Sequence, residues 1–547
     1  MLGDSCSESF FIWKYNLKQQ KILNKVVNLW LNFIDWKLRN NKILNYKTPS
    51  FFKENIDQEL PKEEMDLEDV LGVLKMIGEY SIAQSDVNYL AFPDSANSMP
   101  WMMWAVFSKF LNQNLIAFDR SAPIATFLEI QLIERFRFLI GYDYKKLKDV
   151  NSLSEVSWMW TTWWHLSNHI AILSALNYMF SEIKNKWLPF LKFQPVILLS
   201  KKISHYSLDA AVHHLWIWKD NIIDVPVKDD FTTDFDALEG ILKSLPSNKK
   251  PFMVVSVAGN TRTTNIDNLE KMWQFCKRHG LWHHTDACHG WSLLFSKKLK
   301  KQYLKWIEEA DSVTIDPHKW LFLPYSSSYV IFKRRDILTQ FSRYEQECRS
   351  WNSWDLWFIT PFLWSRWFDS LPIWLMIKAM WIKWIEKVIL HRYNISKYWE
   401  LLINNSGYFV SLNKMELYRM AFVYCPKKIR DCLNEHLDKK VEIHKLINLY
   451  THKINQKLYV DWNVCLDEYK LHDVANNVGL SIDDRYTVMA ISSWNPLTTK
   501  KSIKDSLMIL FDEAKKEEKN FINDFYNIID FNQNVTWKSY NTWPAGW

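Results

Sequence analysis

From about Asn168 to Arg334 the chain alternates helix-like segments with six short apolar runs: PVILLS, NIIDVPV, FMVVSVAG, LWHHTDA, SVTID and SYVIF. No other feature restricts the fold so strongly. Short apolar runs bounded by turn residues read as strands buried on both faces, and helical segments between them supply the crossovers that parallel strands need. The pattern predicts an α/β fold with a mainly parallel sheet and helices on both faces. Such sheets bind ligands at the carboxyl ends of their strands. Polar residues just after each run are therefore the candidates for a site. Around this region the spacing predicts a helical N-terminal extension over 1–100, which includes LEDVLGVLKMIGEYSI, and a large domain over 101–380. A long helix near Trp374–Ile389 leads into a smaller α+β region over 381–520, and 521–547 reads as a surface tail. A chain of 547 residues is long enough for more than one domain.

A fold with this many turns needs glycine, and the chain has 11 Gly against 31 Trp. Glycine usage is ordinarily near 7%; here Gly and Trp together make up about 7.7% of the 547 residues. Many tryptophans are therefore expected to stand at glycine positions. Translating a gene that reads UGA as glycine with a code that reads it as tryptophan would produce this substitution. The stretch WMWTTWWHLSN, Trp158 to Asn168, concentrates the anomaly between a polar turn and the helix-like run HIAILSALNYMF.

Net charge is +7 from 68 basic and 61 acidic residues, scattered apart from short clusters such as KKLKK. A solvated surface explains this better than a nucleic-acid footprint, so no nucleic acid is expected as a partner. No apolar run approaches the roughly 18 residues that span a bilayer, and the first residues lack a signal-peptide pattern. Seven scattered Cys without a CxxC pair suggest reduced thiols and a cytoplasmic protein.

The sharpest chemical signal is DSVTIDPHKWLFLPY, Asp311 to Tyr325. A strand ends at Ile315, Asp-Pro turns the chain, and His318 and Lys319 are presented at its carboxyl end. A lysine desolvated there could attack an aldehyde. In LWHHTDACHGW, period-two alternation sends His284, Asp286 and Cys288 to one face and His283 to the other. A metal site from Cys276, His279, His283, His284, Cys288 and His289 is not expected, because they form no CxxC pair and no HxxxH helix pair. His205 follows PVILLS, and Gly259 to Thr261 end FMVVSVAG.

Together these motifs resemble the group II pyridoxal-phosphate-dependent amino acid decarboxylases, whose motifs run TSGGxxxN, HxS, AGTTxxGxxD, HVDAAYGG and DPHKWL. The resemblance covers roughly residues 85 to 510. It implies the fold-type I architecture of pyridoxal-phosphate enzymes, with a seven-stranded type of sheet and a small C-terminal domain. It implies that Lys319 forms the Schiff base with the cofactor, Asp286 pairs with the pyridinium nitrogen and His205 stacks on the ring. It further implies that Thr162, Trp163, Trp164, His165 and His318 surround the phosphate, that Thr261 lies near the ring, and that Cys288 packs beneath it. An N-terminal segment that embraces a second subunit, a homodimer, and conversion of an L-amino acid to an amine and CO2 follow from the same likeness. Aldehyde-lyase or aminotransferase chemistry on the same cofactor is the alternative, as is an inactive dimeric scaffold if the tryptophans are genuine.

The departures from the family cluster on tryptophan. Trp163 and Trp164 replace GlyGly, Trp291 replaces the last glycine of HVDAAYGG, and Trp216, Trp218, Trp381 and Trp384 fall on further glycine positions, whereas Trp320 and Trp374 match tryptophans of the family. His165, Asn260, Thr264 and Cys288 are departures of other kinds. The sequence does not select a substrate; the segment Tyr89 to Pro100 is a candidate for shaping its pocket.

Overall fold

All six apolar runs are strands. In the computed structural model, which describes residues 17–530 apart from short stretches of which the longest are 57–66 and 342–353, they are β2 (Gln194–Leu199), β3 (Ile222–Asp224), β4 (Lys249–Val257), β5 (Trp282–Asp286), β6 (Ser312–Ile315) and β7 (Ser328–Phe332). A seventh strand, β1 (Trp158–Thr161), lies in the tryptophan-rich stretch and was not expected there. The sheet order is β1-β7-β6-β5-β4-β2-β3. Pairings from β3 through β6 are parallel, and β7 is antiparallel to both β6 and β1. The expected mainly parallel seven-stranded sheet is therefore present.

Burial on both faces explains why these strands read as continuous apolar runs. Ile197, Leu199, Met253 and Val255 point into one core, while Val196, Leu198 and Val254 point into another beneath the opposite face. The alternation is the period of two that a pleated strand imposes. A second sheet, β10-β11-β9-β8, is wholly antiparallel, with strands β8 (Phe409–Ser411), β9 (Arg419–Tyr424), β10 (Asp467–His472) and β11 (Arg485–Ser492).

The helices that matter for the site are few. The N-terminal region supplies α1 (Leu17–Arg39) and α2 (Leu67–Tyr80), joined by an ion pair between Lys25 and Glu68. Next come α3 (Met99–Leu111) and α4 (Pro123–Ile140), the latter ended by Gly141 at φ +103°. Helix α5 (Trp164–Met179) follows β1 and lies on the large sheet, with Asn168, Ile170 and Ala171 fully buried. Helix α6 (Tyr206–His214) follows β2.

Helix α7 (Ser370–Asn405) is the link between the cores. Met376, Ile385 and Ile389 belong to the core of the large sheet, whereas Ile395, Trp399 and Ile403 belong to that of the small sheet. The helix is broken at Trp381, which has φ +40° and ψ 153°. Helices α8 (Lys440–Asp461) and α9 (Lys500–Asp530) cover the small sheet. The expected tail boundary at 521 is corrected: Phe521, Phe525 and Ile528 are buried on α9, which continues to Asp530 because an apolar stripe keeps it docked. The remaining positions of the tail, 531–547, lie outside the described residues.

Candidate active site

Strand β5 places four polar residues in the middle of the large sheet, all buried. Alternation sorts them as expected. His283 turns to one face, where its Nε2 lies 2.8 Å from Ser256 Oγ on β4. His284 and Asp286 turn to the other face and meet α5. Asn168 is the hub there: its Nδ2 donates to Asp286 Oδ2 at 3.2 Å and to Ser207 Oγ at 3.3 Å, while its Oδ1 accepts from Thr314 Oγ1 at 3.0 Å and lies 3.2 Å from His284 Nε2. One amide thus ties β5, β6, α5 and α6 together. Burial pushes His283 down to about 3 and His284 down to about 4, so both imidazoles are neutral. Asn168 was missed in the sequence reading, although it is the asparagine that closes the TSGGxxxN pattern.

The lysine stands where the strand-end argument put it. Strand β6 ends at Ile315, Pro317 takes the first position of a one-turn helix, and Lys319 follows with 4% of its surface exposed. Its Nζ lies 2.7 Å from Asp316 Oδ2, and Asp316 Oδ1 accepts from Ser328 Oγ at 2.6 Å. Burial alone would lower the ammonium, but Asp316 and then Asp286 outweigh it and hold its pKa above the ordinary lysine value. The lysine is thus buried, as the strand-end placement implies, and paired with Asp316. Asp316, held ionised chiefly by Lys319 against its burial, is a second residue the sequence reading passed over.

Lys319, Asp286, His205, Thr261, Cys288 and Trp164 line one cleft of about 240 Å3, counting space open to solvent. Gly259 lines the cleft, and Gly290 packs closely against the same loop. Gly259 has φ +89°, and a Cβ on Gly290 would lie 2.4 Å from the Ala258 carbonyl oxygen, so neither position admits a side chain without rebuilding the loop. His205 is the N-cap of α6, its Nδ1 accepting from Ser207 N at 3.1 Å; burial and then Lys319 push it down to about 3. Cys288 lies beyond the end of β5, not on the strand as expected, and its backbone N donates to Asp286 Oδ1 at 3.2 Å. Burial first, and Asp286 next, push its thiol well above the ordinary range.

Trp164 occupies this cleft. Its indole Nε1 donates to His205 Nδ1 at 3.0 Å, its ring stands perpendicular to that imidazole at 5.0 Å, and Lys319 Nζ lies 4.6 Å from the ring centre. The remaining expected residues are spread around it. His318 is buried beside the cleft, its Nδ1 2.7 Å from the Ser327 carbonyl oxygen, and 6.1 Å separates its ring from that of Trp164. Thr162 sits in the turn after β1 but does not line the cleft, and His165 points instead toward His214 on α6, 5.4 Å away. Trp163 lies outside the described residues, as do positions 92–97 of the expected substrate segment. Trp291 packs in the core against Phe136 and Phe295, with its Nε1 bonded to the Asp316 carbonyl oxygen at 3.0 Å.

The donor set fits pyridoxal phosphate in kind: a buried amine for an aldehyde, a carboxylate for a ring nitrogen, and an imidazole for a ring face. The space does not, because the Trp164 indole stands over Lys319 and against His205. Fold and site together define a mainly parallel α/β architecture with a buried lysine at the strand ends. A family model described as the pyridoxal-dependent decarboxylase conserved domain matches residues 49–425, more than half of the chain, and the protein belongs to that family.

Individual relatives agree. A glutamate decarboxylase-like protein of Gibberella zeae is 32% identical over 165 residues, 30% of this chain, and the aspartate 1-decarboxylase of Aliivibrio fischeri is 28% identical over 306 residues, 56% of it. The matches span 31% and 55% of those relatives' own lengths, so the chain covers less than two thirds of either. Among solved structures, mouse CSAD superposes with a TM-score of 0.80 at 19% identity, covering 92% of this chain and 99% of that one. Tryptophan decarboxylase of Catharanthus roseus, solved with L-tryptophan, gives 0.75 at 16%, covering 92% and 100%. At these identities the likeness concerns the fold.

Proposed function

We propose that the protein removes the α-carboxylate of an amino acid with pyridoxal phosphate held in this cleft, and that the active polypeptide carries glycine at position 164. The observation that carries the reading is the meeting of Lys319, Asp286 and His205 in one buried cleft at the ends of β2, β5 and β6. When bound, the cofactor supplies the electron sink for the bond being broken. The chain supplies the rest. Lys319 Nζ is the amine that would hold the cofactor's aldehyde carbon, and Asp316 keeps a proton available at that nitrogen. Asp286, fixed by Asn168 and by Cys288 N, presents a carboxylate to a ring nitrogen and favours its protonated form. His205 is neutral and offers a flat face without adding charge, and the neutral Cys288 thiol closes the floor.

Glycine at 164 is supported by the backbone elsewhere. Three of the positive-φ residues are tryptophans: Trp216 at +59°, Trp306 at +76° and Trp381 at +40°. Tryptophan is disfavoured in that region because its Cβ crowds the backbone, whereas glycine adopts it freely. Thr264, on a family glycine position, also has φ +57°. The rival reading, an inactive scaffold, draws on the same indole: if Trp164 is genuine, the cleft stays filled.

A homodimer is supported by α3, whose Met103, Val106, Phe107 and Phe110 form an exposed apolar stripe that a second copy would cover. A reduced, cytoplasmic setting is supported by the five free cysteines among the described residues. Among the described residues no helix is long and apolar enough to cross a membrane.

The test compares this protein with its Trp164→Gly variant. Titration with pyridoxal phosphate should give the visible absorption of lysine-bound cofactor only in the glycine variant, and borohydride reduction should fix the label on Lys319. That variant should then release CO2 from one or more amino acids, with acidic and aromatic ones tried first. Equal cofactor affinity in both forms would defeat the glycine reading, a label on another lysine would defeat the site, and cofactor binding without CO2 release would favour the other reaction types.

A further inference from the structure

The first turn of α5 and the last turn of α6 bring together three histidines that the decarboxylase reading does not use as a group. His165 and His169 are one turn apart on α5, and residues at i and i+4 lie on the same face of a helix, one above the other. His214 closes α6, which packs on that face. One ring nitrogen from each lies within 4.8 Å of the other two. We propose that His165, His169 and His214 form a binding site for a divalent transition-metal ion of the zinc class, with the fourth position open to water.

The geometry is close to what the ion requires. Zinc binds imidazole nitrogen at about 2.0–2.1 Å, so two nitrogens on one tetrahedral ion sit about 3.3 Å apart. The three ring nitrogens, all within 4.8 Å of one another, need to draw together to reach that value on an ion. Among the described residues no hydrogen bond engages the three imidazoles, so closing on an ion breaks none. The Phe362 ring stands 5.0 Å from His169 on its outer side and limits where that imidazole can turn.

His169 is buried and His214 is exposed, which leaves one side of the triad facing solvent and an entry path for the ion. Burial first, then the neighbouring imidazoles, push His169 down to about 4 and lower His165. Both therefore keep a lone pair free at neutral pH, as a metal ligand must. Imidazole ligands favour zinc, copper, nickel and iron over magnesium or calcium. The HLSNH spacing, a helical HxxxH pair, is the sequence signal for this site; it lies apart from the Cys/His cluster at 276–289, which brings no three ligand atoms together among the described residues.

A bound ion would clip the end of α6 to the first turn of α5, the turn that carries Trp164 into the cleft. The assignment does not depend on decarboxylation, and its test need not involve the cofactor. Untagged protein, stripped with a chelator, is titrated with Zn2+ and Co2+ by calorimetry and visible absorption, with Mg2+ as control. The parent should bind one equivalent of Zn2+, give the intense cobalt absorption of a low-coordinate site, and melt at a higher temperature with Zn2+ present. His169→Ala and His214→Ala should each weaken binding by about a hundredfold or more, because loss of an outer partner alone costs 10–100-fold. Their far-UV circular dichroism should match the parent, His214 being exposed. Absence of saturable Zn2+ binding in the parent, or parent-like affinity in either folded variant, would overturn the site.

Discussion

Two hydrogen bonds hold the Asp286 carboxylate. Asn168 and the Cys288 backbone fix both carboxylate oxygens, so the side chain presents a preset charge to the cleft. Asp286→Asn keeps the shape and removes the charge. Once a form that binds cofactor is in hand, this variant should still bind it while kcat falls by at least about a hundredfold, since leaving a buried cation unpaired costs several kcal/mol. Near-normal turnover would show that the carboxylate faces no ring nitrogen. Lys319 illustrates how a neighbour reverses a simple expectation. Burial by itself argues for a lowered pKa, yet the adjoining Asp316 raises it, because a charge 2.7 Å away inside the protein outweighs the lost hydration.

Among the elements, α7 carries the clearest sign of strain. It runs from Ser370 to Asn405 with one non-helical residue, Trp381, whose indole is 59% exposed and gains little by packing. A side chain at left-handed φ costs roughly 1–2 kcal/mol. Trp381→Gly should therefore raise Tm by a few degrees, at about 2–4 °C per kcal/mol for a domain of this size. Trp384 is the internal control: its helix is regular and its ring lies 6.4 Å from that of Phe322, so the same substitution there should lower Tm. Scanning calorimetry of the two variants decides; a fall at 381 would mean that the indole stabilises the kink.

For the whole molecule, the question is what covers α3. A stripe of Met103, Val106, Phe107 and Phe110 on one face is unusual for a surface that meets only water. If a second copy covers it, Phe110→Asp together with Val106→Asp should convert a dimer to a monomer in sedimentation velocity, with secondary structure retained. A parent that sediments as a monomer would remove this face from the account.

The sequence by itself determined six of the seven strands of the large sheet, β1 being the exception, because double-sided burial writes each of the six as an apolar run. It likewise determined that Asp286 and Lys319 stand at strand ends, because alternation and an Asp-Pro turn are local properties. It placed the tail boundary too early, because the stripe that docks 521–530 matters only once the small sheet exists. Only the tertiary structure decided that Asn168 joins four elements, that Asp316 pairs with the lysine, and that His165 turns from the cleft to His169 and His214. The hub at Asn168 and the approach of His214 depend on which segments meet across the sheet, a long-range fact, whereas Asp316 and Lys319 stand only three residues apart and pair because both side chains are buried together. The tryptophans divide along the same line. Their number is a property of the sequence, but that one indole fills a cofactor cleft, and that three others sit where a backbone turns left-handed, is a property of space.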